Sequence, residues 1–208
     1  MIHLCARILS VLTQNPSFCQ ALQSKEPHWP LHIAHAIERH LKHAESVVRF
    51  LFAVGNGAAA IPKMGTKFLK TVRRVMSHYA KKLGGKNTFK IERDVILKSI
   101  RVCANYAMWE EGANAIANDK HLRNSHLAIL KLATEGKLNE DKEEMLKYVI
   151  ASLNNVIYFS SVDFKECADE ISPLFIKVRK FQFQRKVKKV KKVFFVEIHQ
   201  PCYIFLGY

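Results

Sequence analysis

The sequence has no Cys-x-x-Cys pair, no unbroken apolar run of about 18 residues and no Gly-x-Gly-x-x-Gly spacing. Each absence removes a class of protein. The five cysteines, Cys5, Cys19, Cys103, Cys167 and Cys202, are odd in number and fall mostly in helical patterns. They read as reduced, buried small hydrophobes in a cytoplasmic protein, and neither a disulfide framework nor a zinc site is expected from them. No stretch is apolar enough to be read as a membrane-spanning helix, and the opening MIHLCARILSVL is short, carries Arg7 and shows no clear cleavage site for a secretory signal. Around Asn56 the sequence Gly-Asn-Gly follows no strand pattern, which argues against a dinucleotide site. No Ser/His/Asp or Cys/His arrangement has supporting context, and Glu110 and Glu111 are adjacent and so diverge on a helix. Catalysis is not expected, and no cofactor or metal is implied.

Acidic residues are also scarce, 18 against 33 Lys and Arg, for a formal net charge of +15. The excess is uneven: residues 177–208 hold nine Lys or Arg and one acid, about half of it. Such a balance bears on partners, whether acidic protein tails, nucleic acid or anionic membrane, and says nothing about fold. A hydrophobic share of 49% over 208 residues is enough to bury a sizeable core.

What the chain does contain is helical periodicity. In residues 95–118, Ile96, Ile100, Cys103, Ala104, Ala107 and Met108 recur at threes and fours, the mark of an amphipathic helix. Asn105 interrupts this small, apolar run, where helix propensity gives no reason to place it. The same arrangement recurs in VVRFLFAVGNGAAA with Asn56 and in YVIASLNNVIYFSS with Asn155, at separations of 49 and 50 residues. A weaker first copy at the N-terminus has Arg7, which parallels Arg49 and Arg101, and Val11 at the asparagine position. A near-constant period filled only with helical units is the pattern of a helical solenoid.

Between these copies lie further helices. Residues 2–13 present Ile2, Cys5, Ile8, Leu9 and Leu12 on one side; the chain thus begins inside a repeat, as if an earlier part of a longer solenoid were absent. Asn15-Pro16 starts a short helix over about 16–23. The stretch HWPLHIAHAIERHLKHA holds five histidines, and His28, His32, His35 and His43 raise a zinc hypothesis. The preferred reading is a helix with Leu31, Ala34, Ile37 and Leu41 inward and histidines on its rim. Residues 67–83 form a basic amphipathic helix, with Phe68, Leu69, Val72, Val75, Met76 and Tyr79 inward and Lys70, Arg73, Arg74, Lys81 and Lys82 outward, stopped by Gly84-Gly85. A basic connection over 86–94, a helix ending at Gly136, a helix over about 141–159 opened by Asp141, and a short helix near 162–170 complete the repeats. From residue 177 the chain turns lysine-rich, β-branched and aromatic, a divergent tail expected to pack poorly.

The motifs CARILSVLT, VVRFLFAVGNGAA, IRVCANYAMWEEGANAIAND and VIASLNNVIYFSSVDFKE, in this order and spacing, resemble successive repeats of the armadillo family. The resemblance covers about residues 3–178. It implies an all-α, armadillo-like right-handed helical solenoid of three to four repeats over 1–176, followed by the tail at 177–208. It also implies a non-catalytic scaffold whose third helices line a concave groove, with Asn56, Asn105 and Asn155, beside Arg49 and Arg101, holding the backbone of an extended protein partner. A carboxamide can do this because it both donates and accepts, and the competing reading is that these asparagines only hydrogen-bond between neighbouring repeats. The likeness is to a member of the family that acts in assembly of the axoneme of cilia and flagella, so the cilium or flagellum joins the cytoplasm as an expected location; acidic tubulin tails are a further kind of partner that the positive charge could serve. The competing function is nucleic-acid binding by the basic helix and tail. Single-strand binders interleave aromatics with their charges, whereas Phe68 and Tyr79 are expected on the core side, and only FQFQRK in the tail fits stacking.

Overall fold

The computed structural model describes residues 1–83, 90–135 and 139–161, together with 172, 173 and 176, the side chains of 81–83 and 141 excepted. Polar residues that close a helix start set three of the boundaries. Asn15 Oδ1 accepts from Ser17 N at 2.9 Å and starts α2 (Pro16–Lys25) with proline in its first turn. Asp119 accepts from His121 N and Leu122 N to start α8 (Lys120–Thr134), and Asn139 accepts from Lys142 N to start α9 (Glu140–Phe159). The other helices are α1 (Ile2–Leu12), α3 (Trp29–Arg39), α4 (Ala44–Ala60), α5 (Leu69–Leu83, entered through a 3-10 turn), α6 (Lys90–Tyr106) and α7 (Glu110–Asn118). Every regular element among the described residues is helical.

The helices pack in two layers. α1, α4, α6 and α9 lie side by side in that order, each against the next. Behind them α3 touches α4, α5 touches α6 and α8 touches α9, while α5 also meets α3 and α8. One continuous apolar core, from Ala6 to Val156, fills the space between the layers. The inward face expected for α5 is buried residue for residue: Phe68, Leu69, Val72, Val75, Met76 and Tyr79. Tyr79 also donates to Leu41 O, and burial raises the pKa of its phenol.

Residues 95–118 depart from the single helix that periodicity predicts. The chain breaks after Tyr106, turns through 107–109 and restarts at Glu110. Trp109 holds the turn: its backbone is extended, and its indole N–H donates to Ala58 O of α4 at 2.9 Å. The apolar repeat continues across the break because both helices face the same core. α6 also begins earlier than the expected connection over 86–94, taking in residues 90–94 with Glu92 in its first turn.

Two other inward faces are rotated from expectation. On α1 the buried residues are Ala6 and Ser10, while Cys5, Ile8 and Leu12 are exposed with Leu4 and Val11. The main neighbour of α1 is α4, so the flank that closes is the one with residues small enough for close approach. On α3 the core residues are Trp29, Pro30, Ile33, Ala34 and Ile37, with Leu31 and Leu41 half-buried at the edge. The histidines sit on the rim, His32 beside Glu26. Among the described residues, no three His, Cys, Asp or Glu side chains converge to hold a metal, and no helix is long and apolar enough to cross a membrane. The stops at Gly84-Gly85 and Gly136, the helix near 162–170 and the tail at 177–208 lie outside the described residues.

A histidine unremarked in the sequence sits between α8 and α9. His126 is buried; its Nδ1–H donates to Leu122 O at 2.7 Å and its Nε2 accepts from the Ser152 hydroxyl at 2.9 Å, which assigns the neutral tautomer. Burial lowers its pKa below 6.5. The unfolded chain therefore binds a proton that the folded chain rejects as pH falls below 6.5, and stability declines with it. Urea unfolding at pH 7.5 and 5.5 is expected to show a loss at the lower pH that is smaller in His126→Leu. An equal loss in both chains would show that other groups set it.

Candidate functional site

The layer of α1, α4, α6 and α9 carries the three asparagines, and it uses them between helices. Asn105 on α6 is only 4% exposed and its Nδ2 donates to Gly55 O on α4 at 2.8 Å. Asn155 on α9, also 4% exposed, donates from Nδ2 to Ala104 O on α6 at 3.0 Å. Both acceptors are the residue just before the asparagine of the previous copy, so one rule is applied twice. The amides that an extended partner was expected to meet are thus directed at the neighbouring helix. A buried carboxamide near a helix carbonyl bonds the acceptor already there rather than remaining open.

Asn56 is the exception. Its Nδ2 is buried without a partner among the described residues. The corresponding acceptor on α1 would be Ser10 O, the residue before Val11, and that carbonyl receives the side-chain amide of Gln14 at 3.3 Å. Gly55 faces α6, and a Cβ there would meet Val102 Cγ2 at 3.4 Å, an ordinary contact that the site could accept. Gly57 makes room for a different neighbour: a Cβ would come within 2.6 Å of the Trp29 ring on α3.

The two arginines beside the asparagines are not equivalent. Counted from the asparagine, Arg49 stands seven residues before Asn56, whereas Arg101 stands four before Asn105. The residue that matches Arg101 on α4 is Phe52, and the one that matches Arg49 on α6 is Lys98. These two were missed in the sequence, and alignment on the asparagines would have found them. In space they meet: Arg101 Cζ lies 5.1 Å and Lys98 Nζ 5.6 Å from the centre of the Phe52 ring. Burial, then the charge of Arg101, lowers the pKa of Lys98, against the opposing pull of Glu144 and Asp94. Arg49 instead pairs with Glu45 at 2.6 Å, a contact that lowers the Glu45 pKa.

The outward face of α5 is less open than its charge implies. Arg73 pairs with Asp119 at 3.2 Å and Arg74 with Glu38 at 2.8 Å, ties to α8 and α3. Thr71 also donates to Glu38 at 3.0 Å. Lys70 is exposed, and the side chains of Lys81 and Lys82 lie outside the described residues. On α6, Cys103 is buried, with its pKa pushed up to about 12 by burial and then by Asp119. Cys19 is buried and Cys5, contrary to expectation, is exposed; Cys167 and Cys202 lie outside the described residues.

No protein-family model matches the sequence, and no solved structure matches it. Among curated proteins, armadillo repeat-containing protein 2 of Bos taurus is 31% identical over 174 residues, which cover 74% of this chain and 19% of that protein. The chain thus spans about a fifth of the length of the relative it matches. In sequence, and in an all-helical architecture consistent with such a repeat, this chain resembles a segment of an armadillo repeat protein.

Proposed function

We propose that the chain is a non-catalytic, right-handed armadillo-like solenoid that binds protein partners along the exposed side of the α1, α4, α6 and α9 layer. In this reading α2–α4, α5–α6 and α7–α9 are three units, and α1 is the last helix of another. The observation that carries it is the repeated asparagine bond, Asn105 to Gly55 O and Asn155 to Ala104 O, which holds successive helices in one register. Helices held in one register present side chains at a regular interval, which suits a partner lying across several of them. Arg49, Phe52, Lys98 and Arg101 are the residues of this surface, with Tyr148 of α9, which stands seven residues before Asn155 as Arg49 and Lys98 stand before their asparagines, and is half-buried.

The likeness to armadillo repeat-containing protein 2 supports a place in axoneme assembly in cilia and flagella, with cytoplasm or cilium as the location and acidic tubulin tails among the partners. Nucleic acid has less support. Phe68 and Tyr79 are buried, so the basic helix has no ring from either to stack on a base, and Arg73 and Arg74 are held by carboxylates.

Affinity capture from a ciliated-cell extract, with nuclease and high salt, tests the reading. A discrete set of proteins is expected on the unaltered chain and not on an Arg49→Ser, Phe52→Ser, Tyr148→Ser variant of equal helicity. Retention of the same proteins by both chains, or of nucleic acid alone before nuclease, would count against it.

A further inference from the structure

Arg49, Arg73 and Arg74 each have a carboxylate within ion-pair distance. Lys98 and Arg101 have none there among the described residues; what they share is the Phe52 ring. Two cations one turn apart, half-buried beside one aromatic ring, repel each other, and the ring quadrupole offsets that only in part. Burial first, and then the charge of Arg101, lowers the pKa of Lys98. An anion between them would remove the repulsion and accept from both, with the guanidinium able to engage it through two N–H groups.

We propose that Lys98 and Arg101, carried over Phe52, form a binding site for a side-chain carboxylate of an acidic protein segment that crosses α4 and α6. This rests on the scaffold reading above and names the chemistry of its partner. The charges around the pair select the kind of anion. Asp94 and Glu144 act on Lys98 from α6 and α9, and Glu45 lies on α4 in a pair with Arg49. A strand of closely spaced phosphates would meet these acids as well as the two cations. A protein segment can place one carboxylate at the pair and present uncharged residues or a base to its neighbours. The face is therefore of mixed sign with one unmatched positive position, a pattern that favours specificity over bulk attraction.

The test uses the purified chain and two fluorescein-labelled twelve-residue peptides of Gly and Ser, one with four Glu and the other with four Gln, compared by fluorescence anisotropy. The Glu peptide is expected to bind about tenfold tighter than the Gln peptide, a typical gain from charge-assisted contacts. Lys98→Met with Arg101→Met keeps the apolar stems on Phe52 and should abolish that preference. Lys70→Met, on the other layer, should keep it. Arg101→Gln alone provides a milder change should the double variant unfold, and it should reduce the preference. Equal binding of the two peptides, a preference unaltered in the double and single variants, or tighter binding of oligo-dT or anionic vesicles through the same pair would overturn the proposal. Captured proteins that depend on Arg49, Phe52 and Tyr148 but are not displaced by the Glu peptide would overturn the carboxylate site and leave the scaffold standing.

Discussion

Gly112→Ala is expected to destabilise the fold by about 3 kcal/mol, the upper part of the usual range for overpacking. Helix propensity alone predicts the opposite sign, a gain of about 1 kcal/mol for alanine inside α7. The close approach decides it. A Cβ at Gly112 would lie 2.0 Å from the carbonyl oxygen of Tyr106 and 2.6 Å from its carbon, and backbone cannot swing aside as the end of a side chain can. Tyr106 is itself fixed, buried in the core with its hydroxyl donating to Gly65 O at 3.3 Å, while the Trp109 N–H closes the turn by donating to Tyr106 O. Gly65 supplies the control, because a Cβ there would meet nothing within 4 Å. Urea unfolding followed by circular dichroism should show a large shift for Gly112→Ala and almost none for Gly65→Ala. Similar midpoints for the two would show that the α6–α7 junction can open without penalty.

The second large effect concerns the asparagines, where the prediction is a difference between chemically identical changes. Asn105→Ala and Asn155→Ala each remove a buried hydrogen bond between helices and are expected to cost about 1–3 kcal/mol. Asn56→Ala removes an amide whose Nδ2 has no partner among the described residues, and alanine is the better helix former, so its expected effect is close to zero or slightly favourable. Three melting curves check this. Equal losses at all three positions would mean that Asn56 also bridges helices in solution. No loss at 105 and 155 would remove the bracket role and return those amides to the partner surface.

The same asparagines show where sequence reasoning carried and where it stopped. Their spacing and the absence of any local reason for a carboxamide were legible, and these led to a repeating helical layer. Which way the amide turns was not legible. That depends on which helix carbonyl comes within reach, Gly55 O for Asn105 and Ala104 O for Asn155, about fifty residues away in the chain. Arg101 and Phe52 are a comparable case. Arg101 was singled out in the sequence and Phe52 was not, because a cation over a ring joins residues of different helices and has no sequence spacing of its own.

Helix identity, the inward face of α5 and the cap at Asn15 were determined by the sequence itself, since periodicity and capping act within a few residues. The break at Tyr106, the inward face of α1 and the ion pairs that hold Arg73 and Arg74 were decided by tertiary structure. In each of these the competing local forms differ by little, and contacts from residues tens of positions away, such as Ala58 on the indole of Trp109, select between them. Local rules name the helices, and packing chooses where they stop, which side they bury and which of their charges remain without a partner.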